Sequence, residues 1–313
     1  MARSLSQKRI LVTGGTGFLG SFVVERLQEA GAVVHVPRSK DFDLCEADQA
    51  EALIQQCQPQ MVVHCAVDGG GIGYMRSHPG RIVHRNLLMN THLLHASHQG
   101  NAEVFLGVSS VCAYPRDAEM PLREEALFAG YPEPSNAGYG LTKRMMMEMG
   151  RAYAQEYGFC ALFPMPVNLY GPRDDFSEER SHVVPALIRR FLEAEDQELE
   201  EVVVWGSGRA TRELLYVEDC ADAVVAMLEH GEGVEPVNIG TGVETSIGEL
   251  AEAVSEACGY SGRLVFDSSK PEGQPRKCLD TSRAERLLGW NAQVGLDEGL
   301  KRTVSWYRSQ QSS

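Results

Sequence analysis

Apolar positions fall into short runs separated by longer amphipathic stretches. The first run, Arg9-Ile10-Leu11-Val12-Thr13, ends in glycines. A helical pattern follows, with Phe22, Val23 and Leu27 on one face and Ala30-Gly31 as its stop. The same reading predicts a second strand over 32–36, a helix over 47–57, a strand over 61–66 and a helix over 81–99. It continues with a strand over 104–108, a long helix over 139–157 and a strand over 160–165. Strands and helices alternating at these lengths imply parallel β-α-β units. The fold class is therefore α/β, a Rossmann doubly wound parallel sheet.

Beyond residue 170 the pattern loosens. Residues 171–181 read as a polar loop, 183–194 as a helix and 202–205 as a short strand. A helix over 218–230 and a strand over 236–239 read as a return to the main sheet, with further helices over 246–258 and 281–289. The expected organisation is a dinucleotide-binding domain, 1–170, to which 212–240 returns. A smaller, non-contiguous C-terminal α/β substrate lobe is built from 171–211 and 241–313. Residues 193–201 hold six acidic side chains, read as a solvated helix end. No internal repeat or low-complexity tract is visible.

Charge narrows the partners. The formal net charge is −14, so nucleic acid and anionic membrane surfaces are disfavoured, and a small phosphorylated ligand needs a local cluster of Arg and Lys. No apolar run approaches the roughly 18 residues of a membrane span. The opening MARSLSQKR is too short and polar for a signal peptide. The eight cysteines form no Cys-x-x-Cys pair and several sit in apolar runs, which reads as reduced thiols in a cytoplasmic protein.

The turn after the first strand is Thr13-Gly14-Gly15-Thr16-Gly17-Phe18-Leu19-Gly20. Gly14, Gly17 and Gly20 suit a tight turn, close approach of backbone to a pyrophosphate, and close helix–strand packing. Phosphates then rest on free N–H groups at the positive helix end. The second strand ends in Val36-Pro37-Arg38-Ser39-Lys40. Two cations and no carboxylate favour NADP(H), with NAD as the alternative. Asp43-Leu44 are placed to meet the adenine.

Tyr139-Gly140-Leu141-Thr142-Lys143 sets a phenol and an ammonium four residues apart on one helix face. A nearby Lys⁺ is expected to lower the phenol pKa, so that Tyr139 trades a proton with a carbonyl or carbinol oxygen. Ser109-Ser110 end a strand upstream, and Ser110 is placed to donate to the same oxygen.

Several segments together resemble the extended short-chain dehydrogenase/reductase (NAD-dependent epimerase/dehydratase) family. They are ILVTGGTGFLGS, SSVCAYP, YGLTK, PVNLYGPRDDF, SHVVPALIRRF, VVVWGSGRATRELLYVED, NIGTG and KPEGQPRKCLDTSRAERLLGW, spanning residues 10–290. SHVVPALIRRF and WGSG-x-x-x-RE are particular to its fucose-synthase group, the 3,5-epimerase/4-reductases of GDP-4-keto-6-deoxyhexoses. The resemblance implies a reduction triad of Ser110, Tyr139 and Lys143 and an epimerisation acid/base pair of Cys112 and His182. It implies substrate contacts at Asn168, Arg190, Trp205, Arg212 and Glu272. Cofactor contacts fall on Ala66, Ser109, Pro166, Asn168, Leu169 and His182. It also implies a homodimer formed through two helices.

The chemistry is coherent on its own terms. Protons beside a 4-keto group are acidic, so carbons 3 and 5 invert through an enolate, given one group to remove a proton and another to return it on the opposite face. A thiol and an imidazole titrate near neutrality and can do this. Taken alone, Cys112 reads as a small buried filler and His182 as a surface or capping histidine; the motif context reverses both readings. Arg189, Arg190, Arg209, Arg212, Arg276 and Lys277 are candidate diphosphate cations or solvated surface charges. Trp205 is a base-stacking or core residue. His92, His95 and His98 recur at three-residue spacing, but no metal site is expected from them.

Differences from the group's pattern bear on the sugar. Val111 separates Ser110 from Cys112, and Val167 stands where threonine is usual. The helix motif is N-A-G-Y-G-L-T-K, and residues 68–75 resemble GDP-mannose 3,5-epimerases. Two rivals follow: an epimerase without net reduction, and a non-catalytic NADP sensor.

Overall fold

The computed structural model describes residues 2–269 and 274–311. The first half alternates as the apolar pattern predicts: β1 (Arg9–Thr13), α1 (Phe18–Glu29), β2 (Val33–His35), α2 (Ala47–Cys57) and β3 (Met61–His64). Next come α3 (Ile72–Ser77), α4 (Pro79–Gln99), β4 (Val104–Gly107), α5 (Ala137–Tyr157) and β5 (Cys160–Leu162). The five strands form one parallel sheet, ordered β2-β1-β3-β4-β5. Every residue of β3 and β4 is buried, as strands covered by helices on both faces must be. One helical group is α1 with α7 (Val217–His230); the other is α2, α4 and α5. Pro79 opens α4 at its first turn, where its missing N–H costs nothing.

The strand expected over 160–165 is in fact two. β5 pairs with β4, but β6 (Pro164–Pro166) pairs with β11 (Val237–Ile239). Phe163 makes the join, its carbonyl accepting from Val237 N at 3.1 Å. The chain thus steps from one partner to the next, and β11, expected to rejoin the main sheet, pairs with β6 in a two-stranded sheet of its own.

The remaining elements are β7 (Asn168–Tyr170), α6 (Val183–Asp196), β8 (Glu201–Trp205), β9 (Thr211–Arg212), β10 (Leu214–Tyr216), β12 (Thr245–Ser246), α8 (Ile247–Cys258), β13 (Arg263–Asp267), α9 (Ser282–Leu288) and α10 (Leu296–Gln311). β7–β10 and β8–β13 are parallel pairs, while β9–β12 is antiparallel. Ser246 and Glu249 form a reciprocal capping box at the start of α8. A second core gathers Leu187, Ile188 and Phe191 of α6 with Leu250 and Val254 of α8 and Leu300 of α10. Leu279, Ala284, Leu288 and Trp290 pack instead in the first core, although the sequence put 241–313 with the second lobe. Their apolar side chains meet α7 and β11, which α9 covers. No described helix is long and apolar enough to cross a membrane.

Candidate active site

The glycine turn is shaped by what a Cβ would strike. Gly14 has φ +71°, and a Cβ there would lie 2.6 Å from Ala66 N, so the turn abuts the chain leaving β3. A Cβ on Gly20 would overlap the Gly14 carbonyl. Gly17 caps α1 with no side-chain hydrogen bond, so the first N–H groups of the helix face outward uncapped. Thr16 and Gly17 are exposed, while Phe18 and Leu19 lean on the first core.

Arg38 and Lys40 stand exposed on the turn after β2, and neither makes an ion pair among the described residues. Asp43 is engaged: its Oδ1 accepts from Cys45 N at 3.0 Å and lies 3.6 Å from Arg85. Leu44 is buried in the first core, and its carbonyl faces His92 Nδ1 at 3.1 Å. The spaced histidines part company, since His95 meets the Tyr153 hydroxyl and His98 stacks on Tyr157.

At the end of β4, Ser109 N donates to Pro164 O at 2.8 Å, and Ser109 Oγ is buried without a partner among the described residues. Ser110 Oγ accepts from Cys112 N at 3.2 Å. That leaves its hydroxyl proton free to point toward Tyr139, with which it also hydrogen-bonds. Lys143 is 3% exposed. Its Nζ donates to Val108 O at 2.7 Å and sits 5.7 Å from the centre of the Tyr139 ring.

Burial sets the protonation states. It pushes Lys143 down to about 8 and pushes the Tyr139 phenol up, helped by Cys112 and opposed by the Ser110 hydrogen bond. The expected lowering of Tyr139 by its lysine neighbour is thus overturned: desolvation of the phenolate outweighs a charge whose ammonium is turned to Val108.

A buried chain of polar groups behind Lys143 was not visible in the sequence. Thr13 Oγ1 meets His64 Nδ1 at 2.7 Å, His64 Nε2 meets Asn90 Oδ1 at 3.0 Å, and Asn90 Nδ2 donates to Thr142 O at 3.3 Å. These bonds tie β1, β3, α4 and α5. Burial first, then the charge of Lys143, pushes His64 down to about 3, so it is neutral.

Cys112 lies in a 3₁₀ turn, Val111–Ala113, with its sulfur accepting from Asn136 Nδ2 at 3.3 Å. A Cβ on Gly140 would overlap the Cys112 carbonyl, so only glycine lets α5 approach this turn. Cys112 acts electrostatically on both Tyr139 and Arg212. His182 comes from a different element, as the N-cap of α6. The segment before it packs on the glycine run after β3: Gly71 N donates to Arg180 O at 2.7 Å, and Arg180 donates back to Gly69 O at 2.7 Å. The residue is exposed at the start of the helix, yet protein gathers around its imidazole. That crowding lowers its pKa against the opposing charge of Asp175.

Arg190 lies over Trp205, 5.6 Å from the ring centre, and Trp205 is 54% exposed. Arg212 donates to Thr211 O and Gln274 O at 2.6 and 2.7 Å. Arg189 and Arg276 are instead taken up by acids, Glu178 and Glu244, and Arg209 by Ser207. Asn168 Nδ2 donates to Glu213 O at 3.4 Å. Pro166 is buried opposite Ile239, and Leu169 leans on the first core. Glu272 lies outside the described residues. The structure therefore gathers Ser110, Cys112, Tyr139, Lys143 and Arg212, and separately pairs Arg190 with Trp205.

Similarity to known proteins follows the same residues. The chain is 41% identical over 307 residues to GDP-L-fucose synthase 1 of Arabidopsis thaliana, covering 97% of this chain and 95% of the relative. It is 36% identical to GDP-L-fucose synthase of Escherichia coli, covering 98% of each. A GDP-L-fucose synthetase from Naegleria fowleri, solved bound to NADP, superposes with a TM-score of 0.91 at 29% identity, over 100% of this chain and 98% of that one. Residues 10–240 match the model of the NAD dependent epimerase/dehydratase family, and to that family the chain belongs.

Proposed function

We propose that this chain is an NADP(H)-dependent epimerase/reductase that inverts carbons 3 and 5 of a GDP-4-keto-6-deoxyhexose and then reduces its ketone. The observation that carries the reading is the meeting of Ser110, Cys112, Tyr139 and Lys143 beside the glycine turn at the carboxyl end of the parallel sheet. The relatives named GDP-L-fucose synthase, at 36–42% identity over nearly the whole chain, support the same substrate class.

The residues present fit an NADP. The turn at Gly14–Gly20 is a cradle that side chains would fill, the start of α1 is uncapped, and Arg38 and Lys40 are exposed where a 2′-phosphate would lie. Lys143 would hold the nicotinamide ribose, and Ala66, Ser109, Pro166 and Leu169 would border the ring. When bound, the dihydronicotinamide supplies hydride to carbon 4.

Epimerisation needs an acceptor for an acidic C–H proton. His182 is neutral at pH 7 because crowding lowers its pKa, and Cys112 is its partner on the opposite face. Ser110 and Tyr139 donate hydrogen bonds to the ketone oxygen, which stabilises the enolate. In the reduction step, the raised pKa of Tyr139 keeps the phenol protonated until oxygen 4 takes its proton. Arg190 and Arg212 face the nucleotide and diphosphate, with Trp205 beside the base.

NADPH oxidation, measured with GDP-4-keto-6-deoxymannose and with its UDP- and dTDP-linked counterparts, tests this reading. The GDP sugar with NADPH is expected to turn over fastest, and Tyr139→Phe to lose about 10²–10⁴-fold in reduction with NADPH affinity unchanged. Full reduction by the phenylalanine variant would sink the reading.

The same proposal includes a homodimer through α4 and α5, which pack together and leave Met145 55% exposed. It also includes two lobes, with the cofactor on the first core and the sugar nucleotide at the second. A reducing, cytoplasmic setting is supported by eight free thiols.

A further inference from the structure

α5 is preceded by Asn136, and asparagine at a helix N-cap ordinarily turns its side-chain oxygen back to accept from a backbone N–H of the first turn. Asn136 makes no such bond. Its Nδ2 reaches sideways and donates to Cys112 Sγ at 3.3 Å. Its Oδ1 is buried and has no hydrogen-bond partner among the described residues. A forgone cap and an unsatisfied buried acceptor both cost stability, and native folds leave few such groups. The backbone fixes the contact. Gly140 N donates to Asn136 O at 3.1 Å, and Gly140 lies against the Cys112 carbonyl so closely that no side chain fits there.

We infer that Asn136 is the positioning residue of Cys112: its amide N–H holds the sulfur and favours the thiolate, and its Oδ1 accepts from a sugar hydroxyl beside the carbon being inverted. The sulfur half stands on the geometry; the sugar half rests on the epimerase/reductase reading. In the step it serves, neutral His182 takes the proton on the carbon beside the ketone, and the C–H electron pair passes into the enolate, whose oxygen is held by Ser110 and Tyr139. The Cys112 thiol gives its proton to the opposite face of that carbon and is left as a thiolate, which solvent reprotonates as His182 releases its proton. A donor N–H on the sulfur stabilises that charge as it forms, and a hydroxyl held at Oδ1 fixes which carbon faces it.

Asn136→Asp is the decisive variant. It has the same shape and caps helices as well as asparagine does, but it cannot donate to sulfur and repels a thiolate. Alkylation of Cys112 by iodoacetamide in the sugar-free protein, read at pH 7 by mass of the Cys112 peptide, is expected to slow about tenfold in Asn136→Asp, the scale of one charge-assisted hydrogen bond. Solvent-deuterium incorporation into GDP-4-keto-6-deoxymannose is expected to fall at least as far, with NADPH affinity and melting temperature near wild type. Asn136→Ala is expected to share the loss of exchange. A role confined to helix capping gives the reverse order: Asp like wild type, and Ala with a lowered melting temperature and normal exchange. That order, or wild-type alkylation of Asn136→Asp, overturns the inference. If the wild-type protein itself exchanges no GDP-4-keto-6-deoxyhexose, the functional reading falls, and alkylation of the free protein still decides the Asn136–Cys112 contact.

Discussion

Replacing Glu213 by glutamine or alanine isolates what one buried carboxylate does for the sugar side of the cleft. Glu213 sits between β9 and β10 with no exposed surface. Its Oε1 accepts from Thr241 N at 2.5 Å and Gly242 N at 2.8 Å, and its Oε2 from Leu279 N at 2.6 Å. A single side chain therefore fastens the turn after β11 and the strand-like segment at Leu279 to the residue that follows Arg212. Burial raises its pKa while the three backbone donors pull it back.

Alanine leaves three N–H groups without that partner, the Leu279 one buried and those of Thr241 and Gly242 only partly so. At about 1–3 kcal/mol for the buried group and less for the two that water can reach, and short of full additivity because they share one partner, the expected loss is roughly 3–5 kcal/mol. That is a large part of the roughly 5–15 kcal/mol that holds a domain folded. Glutamine keeps the shape but must turn its NH₂ toward at least one of the three donors, so it loses about 1–3 kcal/mol. Urea denaturation at pH 7, followed by tryptophan fluorescence, measures both. The glutamine variant should also raise the sugar nucleotide KM more than the NADPH Kd, because the carboxylate adjoins Arg212 and not the glycine turn. Losses below about 0.5 kcal/mol for both variants, the range of ordinary surface changes, would refute the reasoning, as would glutamine equalling alanine.

Other expectations follow from the same contacts. Gly20→Ala places a methyl group on the Gly14 carbonyl and should weaken NADPH binding at least tenfold, as titrated by fluorescence; unchanged affinity would show that the turn can open without cost. Asp174 is held up at about 7 by burial, so between pH 4 and 7 the folded chain keeps a proton that the unfolded chain has released, and stability falls as pH rises. Asp174→Asn should therefore stabilise the protein by roughly 1–3 kcal/mol at pH 8 and little at pH 4; equal gains at both pH values would contradict it. The pH–rate profile should be flat between an acid limb below 6.5, where His182 charges, and an alkaline limb near 8, where Lys143 loses its proton. A Lys143→Met variant should retain the acid limb, and loss of both limbs together would separate them from these residues.

The parts of the fold that the sequence displays are those with strong local signals. The glycine turn, the buried strands β3 and β4 and the Tyr-x-x-x-Lys helix are each specified by neighbours within one element. The parts it conceals depend on distant partners. β13 alternates only weakly and is a strand because Glu201–Trp205 lies beside it. α10 buries few side chains, and those only against the second core. The division at Phe163 follows from a choice of pairing partner, which local apolarity does not encode. In the site, Ser110, Tyr139 and Lys143 were visible by spacing. Glu213, Asn136 and His64 were not, since their donors and acceptors lie up to 66 residues away.

The protonation states at the centre show why spacing alone misjudged the chemistry. One cause, loss of water, acts on groups of opposite charge type. It disfavours phenolate and so raises Tyr139; it disfavours ammonium and imidazolium and so lowers Lys143 and His182. A reductase that also epimerises needs that combination near neutral pH. The phenol must keep its proton until an alkoxide forms, and the imidazole must be free to accept one. The ammonium must still be charged, which a value of about 8 allows at pH 7. Loss of water around each group achieves this without a dedicated charge partner for each. A substitution that opens the surroundings of one of them to water should therefore move that group toward its value in water although no charge has been removed.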